Sequence, residues 1–333
     1  MKNKKIVLNN NKAFLIKKDN TKISYEIGNV KINNLKSDEV IIKVFYSCLN
    51  FKDILIGSGN PGLVRKYPHV PGIDCTGKVY YSNSSKFKKG DRVMVVARPI
   101  GINSFGTMSN YFVVPSKWVE KIPSKIKLIT PIIFGTAGFT SMLAIRTLIE
   151  NKVNKKSPIL VTGASGGVGL ISIFLLKNLG YNVVAATTKY KKNFNLLKKV
   201  GAKKIIDIKE FHRMIDLPIL KKIYGAIIDN VGGNIISYGS KQLIQNLISV
   251  GNVRSNHSKI NILTLILRGI RILGINAENV STTKRIRLWN QIYKQARNKN
   301  LNFVYNVYDF NKVTKVFKKM LKNDHKGRNI FKF

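Results

Sequence analysis

The chain has 333 residues and a formal net charge of +42, from 58 Lys and Arg against 16 Asp and Glu. Its hydrophobic content of 44% excludes a disordered chain and is enough for two packed domains. We find no apolar run near the roughly eighteen residues of a membrane-spanning helix and no apolar core of a signal peptide, so we expect a cytoplasmic protein without membrane contact.

The first region, up to about residue 125, has the pattern of a β-rich domain. Short apolar stretches such as Val40–Tyr46 and Arg92–Val96 alternate with clusters of Gly, Pro and Asn. Its two cysteines, Cys48 and Cys75, are too few for a disulfide framework and fit a reducing compartment.

After residue 157 the pattern changes, and apolar strands alternate with helical segments. The predicted strands are Ile159–Thr162, Asn182–Ala186, Lys204–Asp207, Ala226–Asp229, Leu247–Val250 and Ile270–Ile275. Such alternation predicts an α/β fold with a doubly wound parallel sheet. We place this domain at residues 126–276, and expect residues 277–333 to complete the domain formed by residues 1–125.

The strongest local motif lies at the start of the second region. An apolar strand leads into Gly163-Ala-Ser-Gly-Gly-Val-Gly169, which opens the apolar run Leu170–Leu176. Glycines let the backbone turn tightly and approach a pyrophosphate, and the N-terminus of the following helix attracts phosphate. Because strand, turn, helix and next strand follow in order, a dinucleotide site is favoured over a purely structural turn.

The residues after the second strand indicate which dinucleotide binds. NAD sites place an acidic residue about twenty positions after the glycines, where this chain has Thr187-Thr188-Lys189. A hydroxyl and a cation suit the 2′-phosphate of NADPH, which is the predicted cofactor. No acidic residue occurs between Gly169 and Asp207. The alternative explanation is that this absence arose by chance, because a stretch of this length would contain only about two acidic residues at this composition.

Several further segments occur in a characteristic order. They are Ser47–Asp53, Tyr67–Asp74, Gly77, Gly90–Val93, Gly135–Thr140, the glycine turn, Leu267–Ile275 and Gly327-Arg328. From about residue 35 to the end, the chain resembles the zinc-free quinone-oxidoreductase branch of the medium-chain dehydrogenases/reductases, and more narrowly its acryloyl-CoA reductase subgroup. The resemblance implies a GroES-like β-barrel substrate domain, a Rossmann domain and a cofactor held between them.

The resemblance also implies site residues. The predicted cofactor contacts are Phe51, Thr136, Ser165, Gly166, Gly167, Val168, Gly169, Thr187, Thr188, Lys189, Asn230, Ile272 and Arg328. Asn50 and Lys52 are the nearest polar candidates to stabilise an enolate oxygen, with structural loop bonding as the alternative. Arg65 and Asn103 are predicted substrate contacts, and Arg65 either meets CoA phosphates or faces water. The subgroup loop Gly-Glu-Asn-His-Trp-Gly-Gly is replaced here by Gly101–Thr107, which keeps the asparagine.

No metal site is expected. Zinc sites need three or four Cys, His or carboxylate ligands at characteristic spacing, and this chain has two cysteines, four histidines and no CxxC pair. Where zinc-dependent relatives carry Gly-His-Glu, it has Gly72-Ile73-Asp74. We interpret His69, beside Pro68, as a loop residue.

The resemblance implies the NADPH-dependent reduction of the C=C bond of a short enoyl-CoA, and it suggests a homodimer paired through the edge strand near Ile270–Ile275. An NADPH:quinone oxidoreductase is the alternative, and a basic RNA-binding protein on a Rossmann scaffold is less favoured. Lysine supplies 46 of the 58 cationic residues and is spread along the chain, as in a compositional bias, so we expect no nucleic-acid partner.

Overall fold

The computed structural model describes residues 7–20, 22–33, 35–60, 62–64, 66–209, 217 and 219–333. The chain divides into two compact units. Unit 1 consists of Met1–Thr136 and Tyr305–Phe333, and unit 2 of Ala137–Val304.

The strands are numbered in chain order. They are β1 Val7–Asp19, β2 Lys22–Asn33, β3 Glu39–Leu49, β4 Asp74–Ser82, β5 Arg92–Val95, β6 Tyr111–Pro115, β7 Glu120–Lys121, β8 Ile159–Val161, β9 Val183–Thr187, β10 Lys204–Asp207, β11 Tyr224–Asp229, β12 Leu243–Ser249, β13 Arg271–Gly274, β14 Tyr305–Asp309 and β15 Arg328–Lys332. The helices are α1 Phe51–Gly57, α2 Ile129–Glu150, α3 Gly167–Asn178, α4 Tyr190–Val200, α5 Asn234–Ser240, α6 Ile262–Arg268, α7 Thr282–Ala296 and α8 Val313–Leu321.

Unit 1 is built around strand β3. Within the described residues, its larger sheet has the order β14-β15-β3-β4-β5-β7, with β6 also paired to β3, and β1 and β2 form a separate hairpin. Apolar side chains of β3, β4 and β5, including Val40, Ile42, Val79 and Val93, form a buried cluster. The C-terminal strand β15 lies antiparallel to β3, with Cys48 opposite Ile330. The end of the chain is therefore part of the sheet that carries the residues around Cys48.

Unit 2 contains a parallel sheet with the order β10-β9-β8-β11-β12-β13, as far as the structure describes it. All residues of β8, β9 and β11 are buried, as expected when helices cover both faces of a parallel sheet. The strand order reverses between β8 and β11, which is the position where doubly wound sheets bind nucleotides. The predicted Rossmann sheet is confirmed.

Individual boundaries differ from those read off the sequence. Strand β10 occupies the predicted residues, but β12 begins at Leu243, four residues before the predicted start. Gln245 and Asn246 interrupt the apolar pattern there, although Asn246 is completely buried. Buried polar residues of this kind hide a strand from a hydrophobicity pattern.

The units divide after Thr136 and after Val304, whereas the sequence pattern placed the boundaries after residues 125 and 276. Helix α7 explains part of the difference. Its Trp289 is 3% exposed, and the indole ring centroid lies 5.8 Å from that of Phe139, which also belongs to unit 2. The long-range packing of α7 is not encoded in local polarity.

Helix α2 is apolar and longer than the runs noticed in the sequence. Among the described residues it alone is long and apolar enough to cross a membrane, but 78% of its most apolar window is buried inside the protein. Gly135 interrupts it with φ 51° and ψ −155°, a conformation essentially restricted to glycine. This break gives the backbone at Thr136 a direction that a continuous helix would not allow.

Candidate functional site

The glycine turn of unit 2 packs tightly against the start of the helix that follows it. It connects β8 to α3, with Gly163 at φ 57° and Gly166 as the residue that precedes the helix. A Cβ atom on Gly169 would lie 2.4 Å from the Gly163 oxygen and 2.7 Å from the Ala164 Cα. Because Gly166 has no side chain to cap the helix, the first N–H groups of α3 are available to a phosphate.

The turn is supported by polar side chains at the ends of β8 and β11. The Asp229 carboxylate accepts hydrogen bonds from Thr162 Oγ1 at 2.5 Å and from the Gly232 N–H at 2.8 Å. Burial raises the pKa of Asp229, and these hydrogen bonds oppose the rise. The pair therefore fixes the two strand ends that flank the reversal of strand order.

Asn230 carries a buried hydrogen-bond acceptor that is suited to a ligand. Its Nδ2 donates to the Thr162 carbonyl at 2.8 Å, while its buried Oδ1 has no hydrogen-bond partner among the described residues. A Cβ atom on Gly163 would lie 3.3 Å from the Asn230 Cβ, so this acceptor adjoins the glycine turn. A bound molecule with a hydrogen-bond donor would satisfy Oδ1.

The residues predicted to meet a 2′-phosphate follow strand β9. Thr187 is 3% exposed and its Oγ1 accepts the Lys189 N–H at 3.2 Å, whereas Thr188 is exposed and Lys189 is partly exposed. Thr188 and Lys189 thus offer a hydroxyl and an ammonium group at the end of β9. Together with the glycine turn and Asn230 Oδ1, these groups fit a phosphorylated dinucleotide.

A second polar cluster lies in unit 1 and is centred on Asp74. We call Cys48, Asn50, Asp74, Thr136 and Arg328 the Asp74 network. Arg328 Nη2 lies 3.1 Å from Asp74 Oδ2, and the two side chains are 3% and 0% exposed. Burial lowers the pKa of Arg328, but Cys48 and Asp74 outweigh it, so the net shift is upward. The guanidinium therefore stays charged.

Asn50 joins this ion pair from the start of α1. Its Oδ1 accepts from Arg328 Nη1 at 2.6 Å and its Nδ2 donates to Asp74 Oδ2 at 3.0 Å. Asp53 Oδ2 accepts the Asn50 N–H and Asp53 Oδ1 accepts the Gly72 N–H, each at 2.7 Å. Burial raises the pKa of Asp53 to about 6. Asp53 thereby ties α1 to the loop before β4.

Thr136 joins the network from the other side. Its N–H donates to Asp74 Oδ2 at 2.9 Å, its hydroxyl donates to Asp74 Oδ1, and its Oγ1 accepts the Ala97 N–H at 2.9 Å. A Cβ atom on Gly135 would lie 2.0 Å from Arg328 Nη2 and 2.6 Å from Asp74 Oδ2. The glycine is therefore needed for the close approach of α2 to the ion pair.

The structure brings together only some of the predicted site residues. Within unit 1, Asn50, Thr136 and Arg328 share the Asp74 network, and within unit 2 the glycine turn adjoins Asn230. Other predicted residues lie on the surface. These are Phe51, 36% exposed; Lys52, partly exposed; Asn103, exposed; and Ile272, 41% exposed on β13. Arg65 lies outside the described residues.

Sequence reasoning missed Asp74, Asp53 and Asp229 as parts of the site. A signal was present, because acidic residues are scarce in this chain and Asp74 stands between Ile73 and Cys75 at the start of an apolar strand. A carboxylate in such a position is buried and needs partners. Its partner Arg328 is 254 residues away and could not be identified from local pattern.

His69 lies in the loop before β4. It is 3% exposed, its Nε2 is 2.9 Å from the Gly101 carbonyl, and burial lowers the pKa of its imidazole. Among the described residues, no group of three or more His, Cys, Asp and Glu is arranged to hold a metal ion.

The comparisons with known proteins agree with this architecture. Residues 36–124 match the alcohol dehydrogenase GroES-like domain family, so the predicted GroES-like domain is confirmed. The chain is 31% identical over 329 residues to the quinone oxidoreductase YhfP of Bacillus subtilis, covering 96% of this chain and 98% of YhfP. It is 32% identical over 286 residues to the acrylyl-CoA reductase AcuI of Ruegeria pomeroyi, covering 84% of this chain and 86% of AcuI.

Solved structures give the same result. The YhdH oxidoreductase of Salmonella enterica in complex with NADP aligns with a TM-score of 0.90 at 26% identity, covering 97% of this chain and 99% of YhdH. YhfP with NAD bound aligns with a TM-score of 0.90 at 28% identity, covering 98% of this chain and all of YhfP. With such identity to YhfP over nearly the whole of both chains, this protein belongs to the zinc-free quinone-oxidoreductase branch of the medium-chain dehydrogenase/reductase family of oxidoreductases.

Proposed function

We propose that the chain is a cytoplasmic, NADPH-dependent reductase of the C=C bond of a short α,β-unsaturated acyl-CoA such as acryloyl-CoA. The observation that carries this proposal is the 32% identity to an acrylyl-CoA reductase over 84% of the chain. The reaction adds hydride to the β-carbon and a proton to the α-carbon, so that one C=C bond becomes a C–C bond.

Three features support NADPH as the cofactor. The glycine turn leads into the N-terminus of α3, which has no side-chain cap and suits a pyrophosphate. Asn230 Oδ1 has no partner among the described residues, and Thr188 and Lys189 can hold a 2′-phosphate. When bound, NADPH supplies the hydride. The similar YhdH structure contains NADP, whereas YhfP contains NAD, so both nucleotides belong in the assay.

The protein's part in the reaction is orientation and charge stabilisation. Negative charge develops on the thioester oxygen as the β-carbon receives hydride. Lys52, two residues after Asn50, is partly exposed and is the proposed donor to that oxygen. The Asn50 amide is engaged by Arg328 and Asp74, so its proposed contribution is to hold the start of α1. Water supplies the proton to the α-carbon.

Phe51 and Thr136 are proposed to lie near the nicotinamide, and Ser165–Gly169 on the pyrophosphate. Ile272 and Arg328 are proposed to complete the cofactor site, and Arg65 and Asn103 to contact the substrate. The partial exposure of Thr136 is compatible with ligand contact, as is the exposure of Asn103. Arg328 is 3% exposed, so its proposed effect on the cofactor passes through Asn50, to which it donates a hydrogen bond, and through Asp74, which also binds Thr136.

A quinone is the second candidate acceptor, because the similarity to a quinone oxidoreductase covers 96% of the chain. The test is NADPH oxidation by the purified protein with acryloyl-CoA, crotonyl-CoA or a naphthoquinone, repeated with NADH. We expect propionyl-CoA as the mass-spectrometric product of acryloyl-CoA. Equal or faster turnover of the quinone would refute the thioester proposal, and faster turnover with NADH would refute the choice of cofactor.

We also propose a homodimer paired through β13. This strand lies at one end of the described sheet, and α6, which precedes it, exposes Ile262, Ile266 and Leu267 by 62–71%. Exposed strand edges and apolar side chains favour pairing with a second chain.

A further inference from the structure

The Asp74 carboxylate is the common acceptor of its network. Its Oδ2 accepts the Thr136 N–H at 2.9 Å, Asn50 Nδ2 at 3.0 Å, Arg328 Nη2 at 3.1 Å and the Cys48 thiol at 3.3 Å. Its Oδ1 accepts the Thr136 hydroxyl. One side chain therefore sets the positions of four others, which come from β3, α2, β15 and the residue before α1.

Asp74 is completely buried and cannot contact a ligand directly. Its exposure is 0%, while Asn50 and Thr136 are partly exposed. Any influence of Asp74 on a bound molecule must pass through the residues it holds. This places it behind the site, in the manner of the side chains that orient contact residues in other enzymes.

The network also fixes the orientation of polar groups that could otherwise rotate. A 180° flip of the Asn50 amide would place its NH₂ against Arg328 Nη1 and its oxygen against Asp74 Oδ2, and both pairings are repulsive. The Thr136 hydroxyl has one hydrogen, which Asp74 takes, because Oγ1 already accepts from Ala97. Removing the carboxylate would release both constraints.

We infer that Asp74 is the positioning residue of this site, holding Thr136, Asn50 and Arg328 in the arrangement that hydride transfer requires. This inference rests on the proposed function, since it concerns the same reaction. Displacement of a contact residue by about 1 Å can slow an enzymatic step roughly 100-fold. Loss of the carboxylate should therefore affect the rate of the chemical step more than the binding of the cofactor.

The test compares Asp74→Asn with a matched control, Glu120→Gln. Glu120 also pairs with an arginine in unit 1, since Arg98 Nη2 is 3.1 Å from its Oε1, and it lies outside the Asp74 network. Three quantities are measured for each variant: the thermal midpoint, the NADPH Kd by fluorescence, and the single-turnover rate of NADPH oxidation with acryloyl-CoA. The primary isotope effect with C4-deuterated NADPH reports whether hydride transfer limits that rate.

We expect Asp74→Asn to slow the single-turnover rate about 100-fold, with an isotope effect at least as large as that of the parent and an NADPH Kd raised between twofold and tenfold. Glu120→Gln should stay within threefold of the parent in rate. A structural role alone would lower the thermal midpoint without slowing the folded fraction. A folded Asp74→Asn protein within threefold of the parental rate would overturn the inference.

If Asp74→Asn does not fold at the assay temperature, Asp74→Asn/Arg328→Gln is compared with Arg328→Gln. The double variant replaces the buried ion pair with two neutral amides that can still hydrogen-bond. We expect it to be at least tenfold slower than Arg328→Gln, because Asn50 and Thr136 also lose their acceptor. Equal rates would overturn the inference.

Failure of the proposed function gives assay results that differ from failure of the Asp74 inference. If the parent reduces a naphthoquinone and not acryloyl-CoA, the substrate proposal fails, and the same rate comparison with the quinone tests Asp74. If it reduces neither, the NADPH Kd decides. A Kd raised more than twofold by Asp74→Asn supports the inference, a smaller change overturns it, and no binding by the parent overturns both.

Discussion

Replacing Gly135 with alanine tests whether the break in α2 is needed for the buried ion pair. The added Cβ would lie 2.0 Å from Arg328 Nη2 and 2.6 Å from Asp74 Oδ2, so the pair must separate. Breaking a buried ion pair costs about 3–5 kcal/mol, and an alanine at φ 51°, ψ −155° adds about 1–3 kcal/mol of backbone strain. Both effects act on a total stability of about 5–15 kcal/mol.

Gly233→Ala is the matched control. Gly233 has φ 66° and ψ −146°, close to the angles of Gly135, but its Cβ would meet only the Ser255 Cβ at 3.2 Å and the His257 carbonyl at 3.9 Å. It therefore introduces the backbone strain without the ion-pair clash. The two variants together separate conformational cost from the cost of breaking the network.

The assay is thermal unfolding followed by circular dichroism, with urea unfolding as a second measure. The two costs together are about 4–8 kcal/mol, so at about 2–4 °C for each kcal/mol Gly135→Ala should lower the midpoint by roughly 8–32 °C. Gly233→Ala, with about 1–3 kcal/mol of strain alone, should lower it by roughly 2–12 °C. Equal shifts for the two variants would show that the ion pair is not compressed against α2, and the reasoning would be refuted.

Three further predictions concern pH, cofactor choice and assembly. Burial raises the pKa of Asp53 from 3.8 to about 6, so the folded state holds this proton more tightly than the unfolded state. The free energy of unfolding should therefore fall by about 2 kcal/mol between pH 4 and pH 6, and Asp53→Asn should flatten that part of a urea-unfolding pH series. Lys189→Ala should raise the NADPH Kd about tenfold and leave the NADH Kd within twofold, because only NADPH carries a 2′-phosphate. Lys199→Ala, at the other end of α4, is the control. Equal effects of Lys189→Ala on both nucleotides would contradict a 2′-phosphate contact. If the chain forms the proposed homodimer, Ile272→Lys should convert it to a monomer in analytical ultracentrifugation, and an unchanged dimer would exclude pairing through β13.

The parallel sheet and its glycine turn were predictable because their information is local. Strands buried on both faces, such as Tyr224–Asp229, appear as short apolar runs, and the Gly163–Gly169 turn follows one of them directly. A small set of positions therefore determines both the sheet and the candidate phosphate site.

The Asp74 network was not predictable in the same way. Arg328 and Asp74 are 254 residues apart, and no periodic pattern connects them. The resemblance named Asn50, Thr136 and Arg328 separately, but that they share one carboxylate follows only from the folded chain. The same holds for the burial of Arg328, which is 3% exposed although it follows a glycine near a lysine-rich helix.

The discontinuous sequence of unit 1 has a consequence for biosynthesis. Unit 2 is one continuous segment, whereas unit 1 needs Tyr305–Phe333, which a ribosome adds only after unit 2 has been made. Until those residues emerge, the sheet lacks β15 and Asp74 has no guanidinium beside it. We therefore expect unit 2, the nucleotide-binding unit, to fold first on the nascent chain. Unit 1 remains incompletely folded, and accessible to chaperones and proteases, until translation ends.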